Sequence, residues 1–258
     1  MTVQRVRAVW ISDTHLGTRA CKADYLLDFL QRTESTYLYL VGDIIDFWSM
    51  KSRWYWPASH NQVLRTILAK AARGTRVIYV PGNHDELFRD HIGAVFAGVQ
   101  VANDYIHTTV DGRRLLVMHG DEFDNVVKHS KLIAKIGSDM YDFLLWSNRW
   151  INLARRKLGF PYWSLAAFLK HKVKNAVNFI SNFEQAIAYE ARRRQVHGVV
   201  CGHIHRATIE TINGVLYCND GDWVESCTAL VEHHDGRLAL QHWANEQGVI
   251  AHEQELAA

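Results

Sequence analysis

Proline is scarce, with 3 residues in 258, and glycine reaches only 16, which excludes collagen-like and low-complexity chains. Hydrophobic residues make up 48% and aromatic residues 11%, against 22% charged, so the composition is not that of a disordered chain. The cysteines Cys21, Cys201, Cys218 and Cys227 form no C-x-x-C pair, and the opening MTVQRVRAVWISD has no apolar signal core. Reduced thiols in a cytosolic protein are therefore expected. There is no uninterrupted apolar run of about 18 residues of the kind that spans a bilayer. Neither Gly-x-Gly-x-x-Gly, nor a P-loop Gly-x-x-x-x-Gly-Lys, nor Gly-x-Ser-x-Gly occurs, so dinucleotide, ATP-loop and serine-hydrolase readings lack their marks. Charge is nearly balanced, 29 − 27 = +2, too small a surplus for a dedicated nucleic-acid binder.

What is present is a chain of 29.7 kDa, above the single-domain mode of roughly 100 to 150 residues and short of two full domains. It reads as one α/β domain, residues 1–258, carrying an insertion. The first half alternates β-branched runs with helical patterns: a strand at Val6–Ile11, a helix at Lys22–Glu34 and a strand at Tyr37–Val41. A helix at Gln62–Arg73, a strand at Arg76–Val80 and a further helix near Glu86–Phe96 follow. Strands at Tyr105–Val110 and Arg114–Met118 flank an Asp111-Gly112 turn. From Asp121 to Arg194 the period is helical. Strands return at Val196–Cys201, Ala207–Ile212, Val215–Cys218, Thr228–Glu232 and Arg237–His242, with a turn at Asn213-Gly214.

The 15 histidines stand out. Five of the strands run into similar polar clusters: Asp13-Thr14-His15, Gly42-Asp43-Ile44-Ile45-Asp46, Gly82-Asn83-His84-Asp85, His119-Gly120-Asp121 and Gly202-His203-Ile204-His205. Taken singly, each is ordinary turn chemistry. Five in the same strand-end register are hard to obtain from turn preference alone, and α/β sheets bind ligands at the carboxyl ends of their strands. Carboxylate, imidazole and amide oxygen together suit borderline divalent ions such as Mn²⁺, Fe²⁺ or Zn²⁺. Seven or eight such groups are too many for one ion and about right for two, held roughly 3.5 to 4 Å apart.

In this order, the blocks Asp-x-His, Gly-Asp-x-x-Asp, Gly-Asn-His-Asp, His-Gly-Asp and Gly-His-x-His resemble those of the calcineurin-like metallophosphoesterase superfamily. Within it, the early Asp13, the helical stretch between His119 and His203, and Asn219-Asp220-Gly221-Asp222-Trp223 look most like the UDP-2,3-diacylglucosamine pyrophosphatase family of lipid A synthesis. The resemblance implies an α/β/β/α sandwich of two mixed sheets with a helical insertion at 121–194 that caps the substrate or contacts a membrane. It also implies two divalent ions, Mn²⁺ or else Fe²⁺ or Zn²⁺. Asp13, His15, Asp43 and His205 would hold one ion, and Asp43, Asn83, His119 and His203 the other. One departure marks the match: the lipid A enzymes usually carry Arg where this chain has His84, whereas the broader superfamily has His.

Paired cations lower the pKa of water and neutralise phosphoryl oxygens, which is what in-line hydrolysis of a phosphoester requires. His84, beside the ligands, is the candidate proton donor to the leaving oxygen, with Asp85 orienting its imidazole. The alternative for His84 is a structural histidine.

The insertion has its own signature. Between Phe143 and Phe183 there is no acidic residue, while Arg149, Arg155, Arg156, Lys157, Lys170, Lys172 and Lys174 alternate with aromatic residues at helical spacing. Such a segment binds membrane surfaces or a diphosphate, or else packs its aromatic stripe on the body of the protein. Lys170, Lys172 and Lys174, with Asp121 and Trp48, are the substrate-binding candidates.

The expected substrate is a phosphorylated, acylated nucleotide sugar, hydrolysed at its diphosphate to UMP and lipid phosphate by a cytoplasmic enzyme lying peripherally on the inner membrane. No nucleic acid and no obligate protein partner are expected. A broader phosphomonoesterase or phosphodiesterase is the alternative within the same chemistry. A catalytically inactive lipid-binding protein is the alternative of another class.

Overall fold

The computed structural model describes residues 3–125 and 180–246. The order is β1 (Gln4–Ile11), α1 (Ala23–Arg32), β2 (Thr33–Val41), α2 (Phe47–Ser52), α3 (Ala58–Ala72) and β3 (Arg76–Val80). A 3₁₀ helix at Glu86–His91 precedes β4 (Val95–Phe96), β5 (Val99–Val101), β6 (Tyr105–Thr108) and β7 (Arg114–Val117). After a second 3₁₀ helix (Asp121–Asn125) and helix α4 (residues 180–193) come β8 (Gly198–Cys201), β9 (Thr208–Ile212), β10 (Val215–Asn219), β11 (Thr228–Glu232) and β12 (Leu238–His242). The chain forms two compact units, one of Met1–Asp121 with Ile187–Ala258 and one of Glu122–Ala186. Within the second, the described residues are 122–125 and 180–186. Among the described residues, no helix is long and apolar enough to cross a membrane.

Both sheets are mixed. Seven strands run β12-β11-β1-β2-β3-β5-β4 and five run β6-β7-β8-β10-β9. The β1-β2-β3-β5 core of the first is parallel, as are β7-β8-β10 in the second, with antiparallel strands at the edges. Strand alternation assigns the faces. Val9, Ile11, Leu38, Leu40, Val77 and Tyr79 point one way, onto Leu26 and Phe29 of α1 and Val63 and Ile67 of α3. Ala8, Trp10, Tyr39, Val41, Ile78 and Val80 point the other way and meet Leu115, Val117, Val200 and Cys218 of the smaller sheet. The continuous apolar runs of β1 to β3 follow from this burial on both sides.

The five polar clusters do not end strands of a single sheet. β1, β2 and β3 belong to the larger sheet and β7 and β8 to the smaller, so the clusters converge across the junction between the two.

Three helices differ from expectation, the one expected at Gln62–Arg73 beginning already at Ala58. The helix expected to reach Glu34 stops at Arg32, because Thr33 and Glu34 pair at once with Gln4 and Arg5 of β1. Tertiary pairing overrides local propensity there. The helix expected near Glu86–Phe96 is a 3₁₀ segment ending at His91, and Val95–Phe96 folds back as an edge strand on β5. Helix α2 and strand β5 are additional to the expected elements. Asp46 nevertheless marks the start of α2, accepting from Ser49 N at 2.7 Å. The Asn213-Gly214 turn forms with both residues at positive φ, as a two-residue hairpin requires.

A buried polar clamp joins the sheets. Glu232, fully buried on β11, accepts from Arg7 Nη1 at 2.6 Å, His107 Nε2 at 2.9 Å and Val110 N at 2.8 Å. Tyr39 OH pairs with His107 Nδ1 at 2.8 Å. Removing the carboxylate strands all three donors. Glu232→Ala is expected to lower stability by about 3 to 5 kcal/mol, as for a broken buried ion pair. Urea unfolding should show this as a lower midpoint at unchanged slope.

Candidate metal centre

The residues at the junction are held in unusual backbone conformations. Among the described residues nine other than glycine have positive φ, and five of them are Asp13, His15, Asp43, His203 and His205. Left-handed geometry costs on the order of 1 kcal/mol or more for such residues and persists where the surroundings over-determine it. Here backbone hydrogen bonds fix it: Asp13 N donates to Gly42 O at 3.0 Å and His15 N to Asp43 O at 2.9 Å. Turning each strand end in this way aims successive side chains at one point.

Glycine makes room for them. A Cβ on Gly82 would run into Asp43 Oδ1 and the His119 ring, and one on Gly42 would also meet that ring. The close approach explains why the acidic and Gly-Asn-His-Asp blocks both open with glycine.

Three groups of donors result, one of them His15 and His84 around the Asp46 carboxylate. Asp13, His15 and His205 each present a ligand-type atom within 4.8 Å of the others, and Asp43, His119 and His203 do the same. Asn83 Oδ1 is buried and has no hydrogen-bond partner, and the same holds for Asp13 Oδ1 and His119 Nε2. Buried polar atoms are rarely left in this state. Carboxylate, imidazole and amide oxygen aimed inward without partners form a donor set that fits divalent cations.

The orientation of each imidazole is set from behind. His119 Nδ1 donates to Val41 O at 2.8 Å, which turns Nε2 toward Asp43 Oδ2, 3.5 Å away. His15 Nδ1 donates to Asp46 Oδ2 at 3.1 Å, leaving Nε2 on the side of Asp13 and Asp43.

His84 is oriented differently from the expectation. Asp85 does not touch its ring: buried, Asp85 accepts from Gly82 N at 2.6 Å, Ile44 N at 2.7 Å and the Tyr79 hydroxyl. Its role is to lock the Gly42–Asp46 and Gly82–Asp85 loops together. The carboxylate facing His84 Nδ1 is Asp46, at 3.1 Å, while His84 Nε2 lies 3.9 Å from Asp43 Oδ2. Asp46, which the Gly-Asp-x-x-Asp block contains but to which the sequence assigns no role, faces both His15 and His84. Trp48 stacks obliquely on the same ring, centroids 4.5 Å apart, and the residue is 45% exposed.

Asp121 lies beside the cluster, but Arg89 Nη2 takes both of its oxygens, at 2.7 and 2.8 Å, and also reaches Pro81 O. Lys170, Lys172 and Lys174, the remaining cations and aromatics of the 143–179 stretch, and most of the 121–194 insertion lie outside the described residues.

Electrostatics follow the crowding. Burial raises the pKa of Asp13 and Asp43, but the surrounding imidazoles outweigh it and hold both below the usual carboxylate range. Conversely, burial lowers His119 and His205, yet Asp43 and Asp13 beside them push the two rings up to about 10 and about 9. In His84, burial is likewise outweighed by Asp46 and Asp43, and its pKa is raised.

Residues 6–207 match the family described as calcineurin-like phosphoesterase. The chain belongs to this family. It is therefore a metal-dependent phosphoester hydrolase, and the family's divalent ions find candidate ligand clusters here. Among curated proteins it is similar to UDP-2,3-diacylglucosamine hydrolase of Neisseria meningitidis serogroup A, 28% identical over 237 residues, 84% of this chain and 89% of that protein. It is also similar to the enzyme of the same name from Aliivibrio fischeri, 24% identical over 250 residues, 90% of this chain and 96% of that protein. A Thermotoga maritima protein solved by NMR aligns with TM-score 0.45 at 16% identity over 92% of this chain and 99% of its own.

Ion binding to this site must displace protons, because an imidazole ligates in its neutral form. With His119 and His205 titrating near 10 and 9 in the metal-free protein, both carry a proton at pH 7. Metal affinity is expected to rise with pH until those values are passed. Calorimetric Mn²⁺ titrations in buffers of different ionisation enthalpy should register net proton release at pH 7, and pH-independent affinity between 6 and 8 would contradict the charge assignment.

Proposed function

We propose that this phosphoesterase hydrolyses the diphosphate of UDP-2,3-diacylglucosamine or a closely similar lipid nucleotide, giving UMP and lipid phosphate. The observation that carries the reading is the two neighbouring donor groups, Asp13-His15-His205 and Asp43-His119-His203, with His15 Nε2 4.0 Å from Asp43 Oδ2, in a chain whose curated relatives bear the name UDP-2,3-diacylglucosamine hydrolase. In the assignment we favour, Asp13, His15, Asp43 and His205 hold one ion and Asp43, Asn83, His119 and His203 the other, with Mn²⁺ preferred over Fe²⁺ or Zn²⁺. Bound there, the ions would supply Lewis-acid polarisation of the phosphoryl oxygens and an activated water.

The chain's own residues supply the rest. Asp46 draws His84 Nδ1 toward itself, so Nε2–H faces the cluster and can be given to the leaving oxygen. Trp48 limits the ring's freedom and forms an apolar wall beside it, suited to a substrate bearing acyl chains. A broader phosphoesterase remains the second reading, favoured by an imidazole at position 84 where the lipid A enzymes usually carry Arg. Mass-spectrometric identification of products from UDP-diacylglucosamine and from simple phosphate esters, with and without Mn²⁺, separates the two. UMP and lipid phosphate formed far faster than simple esters are cleaved supports the lipid nucleotide; the reverse order sinks it.

His84→Ala is expected to keep its metal and lose rate by about 10² to 10⁴, the range for a positioned proton donor. Nitrophenyl esters, whose leaving groups need no proton, should lose least. Equal losses on nitrophenyl and alkyl esters would remove the proton-donor role.

We further propose that the enzyme is cytoplasmic and peripheral on the membrane, on the strength of the basic, aromatic 143–183 stretch. Replacing Arg155, Arg156 and Lys157 by Gln should weaken co-sedimentation with anionic vesicles by about 1 kcal/mol per charge at low salt. Turnover of a small soluble ester should be unchanged. Absence of salt-sensitive vesicle binding by the parent protein would return the segment to plain packing.

A further inference from the structure

The end of β10 and the turn after it, Asn219-Asp220-Gly221-Asp222, contribute none of the proposed ligands, yet Asn219 and Asp220 are fully buried beside them. Ser12, itself 1% exposed, lies between this segment and Asp13. Ser12 Oγ is 2.6 Å from Asp13 Oδ2, 2.7 Å from Asp220 Oδ1 and 3.1 Å from Gly221 O. His203 N donates to the same Asp13 Oδ2 at 2.9 Å. One oxygen of Asp13 is thus occupied by two donors. The other, Oδ1, has no hydrogen bond and faces His205 Nε2 at 3.1 Å and His15 Nε2 at 3.9 Å.

Asn219 acts on the neighbouring block. Its Nδ2 donates to Gly202 O at 2.7 Å while its Oδ1 accepts from Gly221 N at 3.0 Å, so the loop that carries His203 and His205 is tied to the same segment. Asp220 N donates to Cys201 O at 3.1 Å, and Trp223 N to Asp13 O at 3.1 Å. The packing leaves no slack, since a Cβ on Gly202 would collide with Ser12 Oγ and Asp13 Oδ2.

We propose that Ser12, Asp220 and Asn219 are positioning residues for the metal centre: the Ser12–Asp220 pair decides which oxygen of Asp13 is offered to the ion, and Asn219 sets the loop of His203 and His205. The proposal rests on the two-ion reading above. Outer partners of this kind typically contribute 10- to 100-fold in metal affinity or activity. The effect of Ser12 falls first on the ion held by Asp13, His15 and His205, because Asp43 is held by His84 N and His119 by Val41 O, while His203 meets Asp13 only through its backbone N.

The test is Mn²⁺ titration with metal counting on the folded, full-length chain. The parent is expected to bind two ions. Ser12→Ala should bind one with the parent's affinity and the other about 10- to 100-fold more weakly, with unchanged circular dichroism. Asp220→Ala should behave likewise, whereas Asp220→Asn, which keeps the shape and a hydrogen-bonding group against Ser12, should retain both ions. Ser12→Ala carries the decision, since Asp220→Ala also opens a cavity. Two ions bound at parental affinity by Ser12→Ala would overturn the proposal, as would equal weakening of both ions or an Asp220→Asn variant as impaired as Asp220→Ala. A parent that binds fewer than two ions would overturn the two-ion reading itself, and this proposal with it.

Discussion

Carboxylates do not gather in a protein interior unless something positive gathers with them, and the junction between the two sheets is organised around that constraint. Asp13 and Asp43 are buried and Asp46 stands beside them, where their mutual repulsion and desolvation work against folding. His15, His84, His119 and His205 supply the compensating groups. The same imidazoles are the donors a cation would recruit. The protein thus keeps a dense set of donors together by setting carboxylates against imidazoles.

Holding such a set requires backbone geometry that ordinary loops avoid. Left-handed residues at Asp13, Asp43, His203 and His205 bring short strand-end turns to one focus, and glycines at 42 and 82 let the chains approach closely. The strain is tolerated because the strands behind it are locked on both faces, by α1 and α3 on one side of the larger sheet and by the smaller sheet on the other. The Glu232–Arg7–His107 clamp adds a polar lock between the sheets. The apolar core and this clamp thus serve the site by making its supports rigid.

Aspartate does four different jobs within this small space. Asp13 and Asp43 face the donor clusters; Asp46 caps a helix and orients two imidazoles; Asp85 ties two loops through backbone amides and Tyr79; Asp220 braces Ser12. Environment separates them. Burial with Asp43 nearby raises the pKa of Asp85, and burial raises that of Asp220 still further, whereas imidazoles hold Asp13, Asp43 and Asp46 low. The division of labour is a matter of which donors each carboxylate meets.

Strand-end motifs, the βαβαβ opening and the hairpin turns at Asp111-Gly112 and Asn213-Gly214 could be read along the chain, because they depend on residues a few positions apart. So could the family, since its blocks are short and ordered. That three of the five blocks sit on one sheet and two on another could not be read, because it depends on which strands pair, and pairing joins residues such as Thr33 and Gln4 through backbone groups that every sequence shares. For the same reason Glu34 left its expected helix. The exchange of roles between Asp46 and Asp85 was equally hidden: both lie within a few residues of a candidate ligand. Only the fold brings Asp46 Oδ2 to His84 Nδ1 and turns Asp85 inward to Ile44 N. Spacing along a chain fixes what chemistry is available, whereas the direction of a side chain is set by long-range packing and by hydrogen bonds to distant backbone.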